Sequence, residues 1–170
     1  FLFIMNFIAV TAVSRDGENA MFMKYIPLDL SKQCTYKIIP AVIMSMITSC
    51  IIVVTGAIMF GASLLFILLN LIIALLLSIF YSYLMIIVDL KHPKLKWDTE
   101  YAVVKQNMNM LFEFALSMAI IIILVGIGFA FSQVWYGITA GVLIAVLGLG
   151  IYAVKKYISK NQVKLFEKVQ

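Results

Sequence analysis

Two stretches of the chain contain no Asp, Glu, Lys, Arg or His: 38–88, of 51 residues, and 114–154, of 41 residues. Every charged side chain lies in the islands around them, at 14–37, 89–113 and 155–170. An apolar run of more than about 18 residues without charge reads as a membrane-spanning helix. Both runs are too long for one crossing of a hydrocarbon core about 30 Å thick, so each is expected to fold back once. The first turn is placed at Gly61-Ala62-Ser63, where small, flexible residues interrupt the run. That gives spans 38–60 and 64–88. The second turn is placed at 132–136, giving spans 111–131 and 137–154, with Trp135 and Tyr136 suited to the aromatic belt of a membrane surface. Residues 1–13 are apolar but would reach only about 20 Å as a helix, short of a crossing. They read as the end of a span, and more protein is expected before them. The predicted fold is all-α and polytopic: one partial and four complete transmembrane helices, with short amphipathic helices in segments 14–37 and 89–110.

Composition sharpens this reading. The chain is 64% hydrophobic and 12% charged, with a mean hydropathy of +1.08. A soluble domain carries about 25% charged residues to solvate its surface. The net charge of +5 is 13 basic against 8 acidic residues, and the predicted topology puts all the basic ones on one side. By the positive-inside rule that side is the cytosol. The expected location is therefore the cell membrane, multi-pass, with a cytosolic C-terminus and membrane lipids as partners. The basic excess is an orientation signal, and no nucleic-acid partner is expected. Cys34 lies in a charged island and Cys50 in an apolar run, so both are read as free thiols at different depths.

The islands carry local structure of their own. Residues 18–26 can form a short helix with Met21, Phe22, Tyr25 and Ile26 on one face. Asp16 is expected to cap it and Pro27 to end it. Asp29 or Ser31 can cap the helix that follows, and Pro40 can kink that helix. In the second island Asp98 is expected to cap a helix with Glu100 in its first turn. Tyr101, Val104, Met108 and Leu111 then form a stripe leading into the next span. The lysine-rich tail, 155–170, reads either as an amphipathic helix on anionic headgroups or as a solvated extension.

Candidate chemistry is sparse. Gly56 and Gly61 have part of a phosphate-loop spacing, but Ala62-Ser63 follows without the lysine, inside an apolar run. No catalytic, cofactor-binding or metal-ligating set is therefore assigned, no cofactor is expected, and ATP hydrolysis would fall to a partner chain. His92 beside Asp89 lacks a second cluster to complete an acid–base site. Glu113 is the one ionisable residue near a span interior. Asn70 is the intramembrane polar candidate, expected to bond neighbouring helices. Gly137 and Gly141 have the spacing that permits close helix packing.

The first two islands also resemble a known family as sequence. Ser14-Arg15-Asp16-Gly17-Glu18-Asn19, followed by Lys24 and Pro27, resembles a segment of ATP-binding-cassette (ABC) exporter permeases of Gram-positive bacteria. Asp89-Leu90, Pro93, Leu95, Trp97, Glu100, Ala102 and Val104-Lys105-Gln106-Asn107 resemble a later segment of the same permeases. Asp16 stands where the family often has Glu. The resemblance covers roughly residues 11–110. It implies the C-terminal portion of a type-2 exporter permease, itself not an enzyme, coupled to a separate ABC ATPase subunit. Pairing with itself or with a different permease is left open. On this reading Phe22 and Tyr25 insert into the ATPase, while Arg15, Glu18 and Lys24 set the register. Asp89, Pro93, Trp97, Glu100 and Lys105 mark the second segment. The competing readings are a membrane-embedded lipid-modifying enzyme using Asp89, His92, Asp98 and Glu100, and a scaffold subunit without transport.

Overall fold

The computed structural model describes residues 7–99, 103–104, 107–130 and 136–167. These form helices, with no strand among the described residues. Helix α1 (Phe7–Val10) leads through a turn into a 3-10 segment, Ser14–Lys24. Then follow α2 (Leu30–Phe60), α3 (Leu64–Lys91), α4 (Asn109–Ala130), α5 (Tyr136–Lys160) and the short α6 (Gln162–Glu167). Helices α2 to α5 are each long and apolar enough to cross a membrane.

The α2–α3 hairpin forms where backbone freedom and a cap coincide. Gly61 ends α2 with φ 61° and ψ 36°, a left-handed conformation that costs glycine little. Ser63 starts α3 by accepting the Phe66 N–H at 3.3 Å. At the other end, α2 begins after Asp29, whose carbonyl rather than its side chain accepts from Lys32 and Gln33. Pro40 lies inside the continuous helix α2.

Helix α3 is the centre of the bundle, packed against α1, α2, α4, α5 and α6. It packs tightly on α5 at Gly150, where an added Cβ would lie 2.9 Å from the Phe80 ring. Gly141, one of the expected packing glycines, faces open space instead. This close contact is set by a large ring over a single glycine, and Gly141 does not contribute to it. Broad apolar faces of α2, α4 and α5 remain uncovered, including Ile51, Ile58, Ile122, Val142 and Leu149. Such surface suits lipid, which solvates apolar side chains as water does not.

Three local expectations are corrected. The first-island helix is a 3-10 segment over Ser14–Lys24, kinked at Gly17 (φ 56°, ψ −134°), rather than a helix over 18–26. The stripe from Tyr101 to Leu111 does not run unbroken into α4. Asn107 is non-helical, and its side-chain oxygen accepts the Asn109 N–H at 3.0 Å at the start of α4, while the helix start expected at Asp98 and Glu100 runs into residues outside those described. Finally, the lysine-rich tail is not a solvated extension. Helix α5 runs on to Lys160, and Ile158 and Leu165 are buried against a core that includes Tyr83 and Leu90. Cys34 is buried and Cys50 exposed, both as free thiols.

Candidate functional site: the junction of the first two charged segments

The 3-10 segment must satisfy the backbone N–H groups at its start, which have no partner inside the helix. Asp16 does not do this, contrary to expectation. It pairs with Lys37 of α2, whose ammonium also donates to the Ala12 carbonyl at 3.3 Å. The cap comes from Asp89, near the end of α3. One carboxylate oxygen of Asp89 accepts the N–H groups of Val13 at 2.6 Å and Ser14 at 2.9 Å. The other accepts the Ser14 hydroxyl and, at 3.1 Å, the Asn109 side-chain amide. Asp89 is fully buried, a placement that is costly for a carboxylate without such donors. A negative charge in the last turn of α3 also opposes that helix's dipole. The start of the 3-10 segment offsets both costs, because successive N–H groups there attract an anion.

Ser14 is the second node. Its hydroxyl oxygen accepts the Lys94 N–H at 2.9 Å and the Asn107 amide at 3.4 Å. Its carbonyl accepts the Trp97 indole N–H at 3.0 Å. The Trp97 ring lies against Gly17, where a Cβ would come within 3.3 Å. Asn109 extends the network to the His92 carbonyl at 2.9 Å. On the far side of the segment, the Gln33 amide donates to the carbonyls of Met23 at 3.0 Å and Leu28 at 2.8 Å, fixing the return into α2.

This framework holds one face of the segment inward, through Ala20 and Met23, and leaves the other face open. Phe22 is 58% exposed and Tyr25 78%, with Met21 and Ile26 beside them. Glu18 is exposed and Lys24 half-buried. Arg15 is exposed and donates to the Ile8 carbonyl at 3.2 Å. A groove of about 520 Å³ separates the segment from α2, lined by Arg15, Asn19, Phe22, Ile26 and Tyr36 among others.

The structure therefore brings Arg15, Asp89 and Trp97 into one assembly with the exposed Phe22 and Tyr25. Pro93 is half-buried in the loop after α3. Glu100 and Lys105 lie outside the described residues. Asn70 is not part of the site. It sits near the opposite end of α3, where its amide donates to the Phe66 carbonyl at 2.8 Å and its side chain meets Tyr136 of α5. It is only half-buried, whereas Glu113 is fully enclosed in α4, whose carbonyl accepts the Tyr81 hydroxyl at 3.1 Å. His92 is exposed and stacks on Phe112 at 6.4 Å. Among the described residues no His, Cys, Asp or Glu cluster could hold a metal ion.

Ser14, Asn107, Asn109 and Gln33 are the framework residues that sequence reasoning did not assign a structural role. One signal pointed to them. A carboxylate in the last turn of an apolar helix is unfavourable there unless something specific binds it.

Comparison with protein-family models, curated proteins and solved structures gives no match. The helices themselves define the class: an all-α, multi-pass membrane protein.

Proposed function

We propose that the chain is the membrane-spanning permease subunit of an ATP-driven ABC exporter, lying in the cell membrane with its lysine-rich end in the cytosol. The ATPase is a separate chain, and the Ser14–Lys24 segment is where it docks. The observation that carries this reading is the combination of a rigid mount with an exposed aromatic face. Asp89 and Ser14 tie the segment to the end of α3, and Lys37 and Gln33 tie it to α2, while Phe22 and Tyr25 stay outside. A push on those two rings would reach both long helices through short polar contacts instead of being lost in a loose loop. An ATPase that binds this face differently in its ATP-bound state would thereby shift the membrane helices between conformations. Exposed aromatic side chains are also the residues most often found as anchors of an interface.

The test is association. Full-length chain carrying Phe22→Ala and Tyr25→Ala is purified from native membranes beside the wild type. Loss of the co-purifying ATPase, with the chain still folded and inserted, supports the reading. Unchanged association rejects the docking role of this face.

A further inference from the structure

We propose a binding site for an anionic phospholipid between the start of α2 and the end of α5. It does not depend on the permease reading. A cleft there is lined by Lys32, Lys155, Lys156 and Lys160, with the hydroxyls of Ser31 and Ser159 between them. Its volume is about 580 Å³. Tyr152 completes the wall, and Asp29 is the one carboxylate, set against four ammonium groups. Aromatic rings position two of the lysines. Lys155 Nζ lies 5.4 Å from the Tyr83 ring centre and Lys156 Nζ 5.9 Å from that of Tyr152.

A second, apolar groove between α2 and α3 shares Lys155 with this cleft. It has a volume of about 220 Å³ and is lined by Thr35, Ile38, Ile39, Val42, Ile79 and Lys155, among others. From Lys32 to Val42, α2 rises about 15 Å. The arrangement is thus a cationic, hydroxyl-bearing cleft that shares one lysine of its wall with an apolar groove extending along α2 toward its middle. That is the shape and polarity of a phosphodiester headgroup with an attached acyl chain. Basic pockets between transmembrane helices at the headgroup level bind such lipids. The occupant is a membrane phospholipid with net negative charge, such as phosphatidylglycerol. A free phosphate would leave the apolar groove unexplained, and a zwitterionic lipid would leave the charge excess uncompensated.

The experiment is native mass spectrometry of the full chain in detergent, with phosphatidylglycerol or phosphatidylcholine added. Wild type is expected to retain phosphatidylglycerol in preference. Joint replacement Lys32→Gln, Lys155→Gln and Lys156→Gln should lower that retention roughly a hundredfold. The charge-matched control, Lys24→Gln with Lys94→Gln and Lys96→Gln, should retain it. Ile39→Trp, which fills the groove without changing charge, should also weaken retention. Glycerophosphoglycerol, the headgroup without chains, should not displace the lipid at equal concentration. Equal retention of both lipids by the wild type overturns the site. So does equal loss in the control variant, an unaffected Ile39→Trp, or full displacement by the chain-free headgroup. If the triple variant does not fold, the tryptophan variant and the competition decide the matter.

Discussion

Ser14 and Asp89, 75 positions apart, are joined twice: the Ser14 N–H reaches one carboxylate oxygen at 2.9 Å, and its hydroxyl reaches the other. This pair connects the first charged segment to the second by fixing the start of the 3-10 segment on the last turn of α3. Replacing Asp89 by Ala would leave the N–H groups of Val13 and Ser14 and the Asn109 amide without their acceptor. Each buried donor left unpaired costs about 1–3 kcal/mol. We expect Asp89→Ala to destabilise the detergent-purified chain by about 3 kcal/mol or more, and Asp89→Asn, which keeps one acceptor oxygen, by roughly half as much. Chemical denaturation followed by circular dichroism measures both. Wild-type midpoints in the two variants would remove the carboxylate from its capping role.

Trp97 offers a gentler probe of the same junction. Trp97→Phe deletes the indole N–H that reaches the Ser14 carbonyl, together with the Nε1 and Cζ2 atoms that lie nearest Gly17, while keeping an aromatic ring at the position. The cost should be about 1 kcal/mol. The more telling readout is local, because the segment can loosen while the long helices stay formed. Limited trypsin digestion should cut after Lys24 faster in Trp97→Phe than in wild type. An unchanged cleavage rate would mean that this bond does not hold the segment down.

Gly17 meets two constraints at once. Its φ of 56° with ψ of −134° is a conformation L side chains rarely adopt, and Trp97 occupies the space a Cβ would need. Gly17→Ala should cost about 1–3 kcal/mol from backbone strain alone. Combining it with Trp97→Ala should recover only the steric part, so the double variant stays below Trp97→Ala in stability. Equal stability of those two variants would show that the backbone at residue 17 relaxes freely.

The long helices were legible because charge is absent over whole crossings, and that pattern survives any detail of packing. The turn residues Gly61 to Ser63 carry their own backbone chemistry, so their neighbourhood could be read locally. The junction was much less legible. Ser14 and Asp89 are ordinary polar residues until chain folding brings them together, and neither has a spacing that predicts the other. Asp16 looked like a cap because it precedes a helical stretch, but Lys37, one island's length away, binds it instead. Tail residues Ile158 and Leu165 were visible as apolar positions, yet only the bundle shows that they pack on α3 rather than on lipid. Gly150 was overlooked in favour of Gly137 and Gly141 because a spacing rule says nothing about the ring that must fit over the glycine.

That contact makes a separable prediction. Gly150→Ala drives a methyl group into the Phe80 ring, at 2.9 Å, and overpacking of this kind costs about 1–3 kcal/mol. Phe80→Leu in the same chain should return part of the loss. Gly141→Ala meets nothing within 4 Å, and should be neutral or gain up to about 1 kcal/mol from helix propensity. Unfolding midpoints of the three variants and the wild type in detergent test the pattern. Equal losses at residues 141 and 150 would mean that α3 and α5 do not meet through Phe80.

Sidedness is the remaining expectation, and it follows from the charges. The α2–α3 turn lies at one end of the bundle, while Lys96 and the α6 residue Val163 lie near the lysine-rich ends of α3 and α5. With 13 basic residues in the three islands and none elsewhere, the positive-inside rule places the lysine-rich end in the cytosol. In a background with Cys34→Ala and Cys50→Ala, single substitutions Ala62→Cys, Lys96→Cys and Val163→Cys report the topology. A membrane-impermeant maleimide should label position 62 on intact cells, and positions 96 and 163 only after permeabilisation. Labelling of position 96 on intact cells would invert the orientation. The exposed face of Phe22 and Tyr25 would then be turned away from any cytosolic ATPase, and the docking proposal would fall with it.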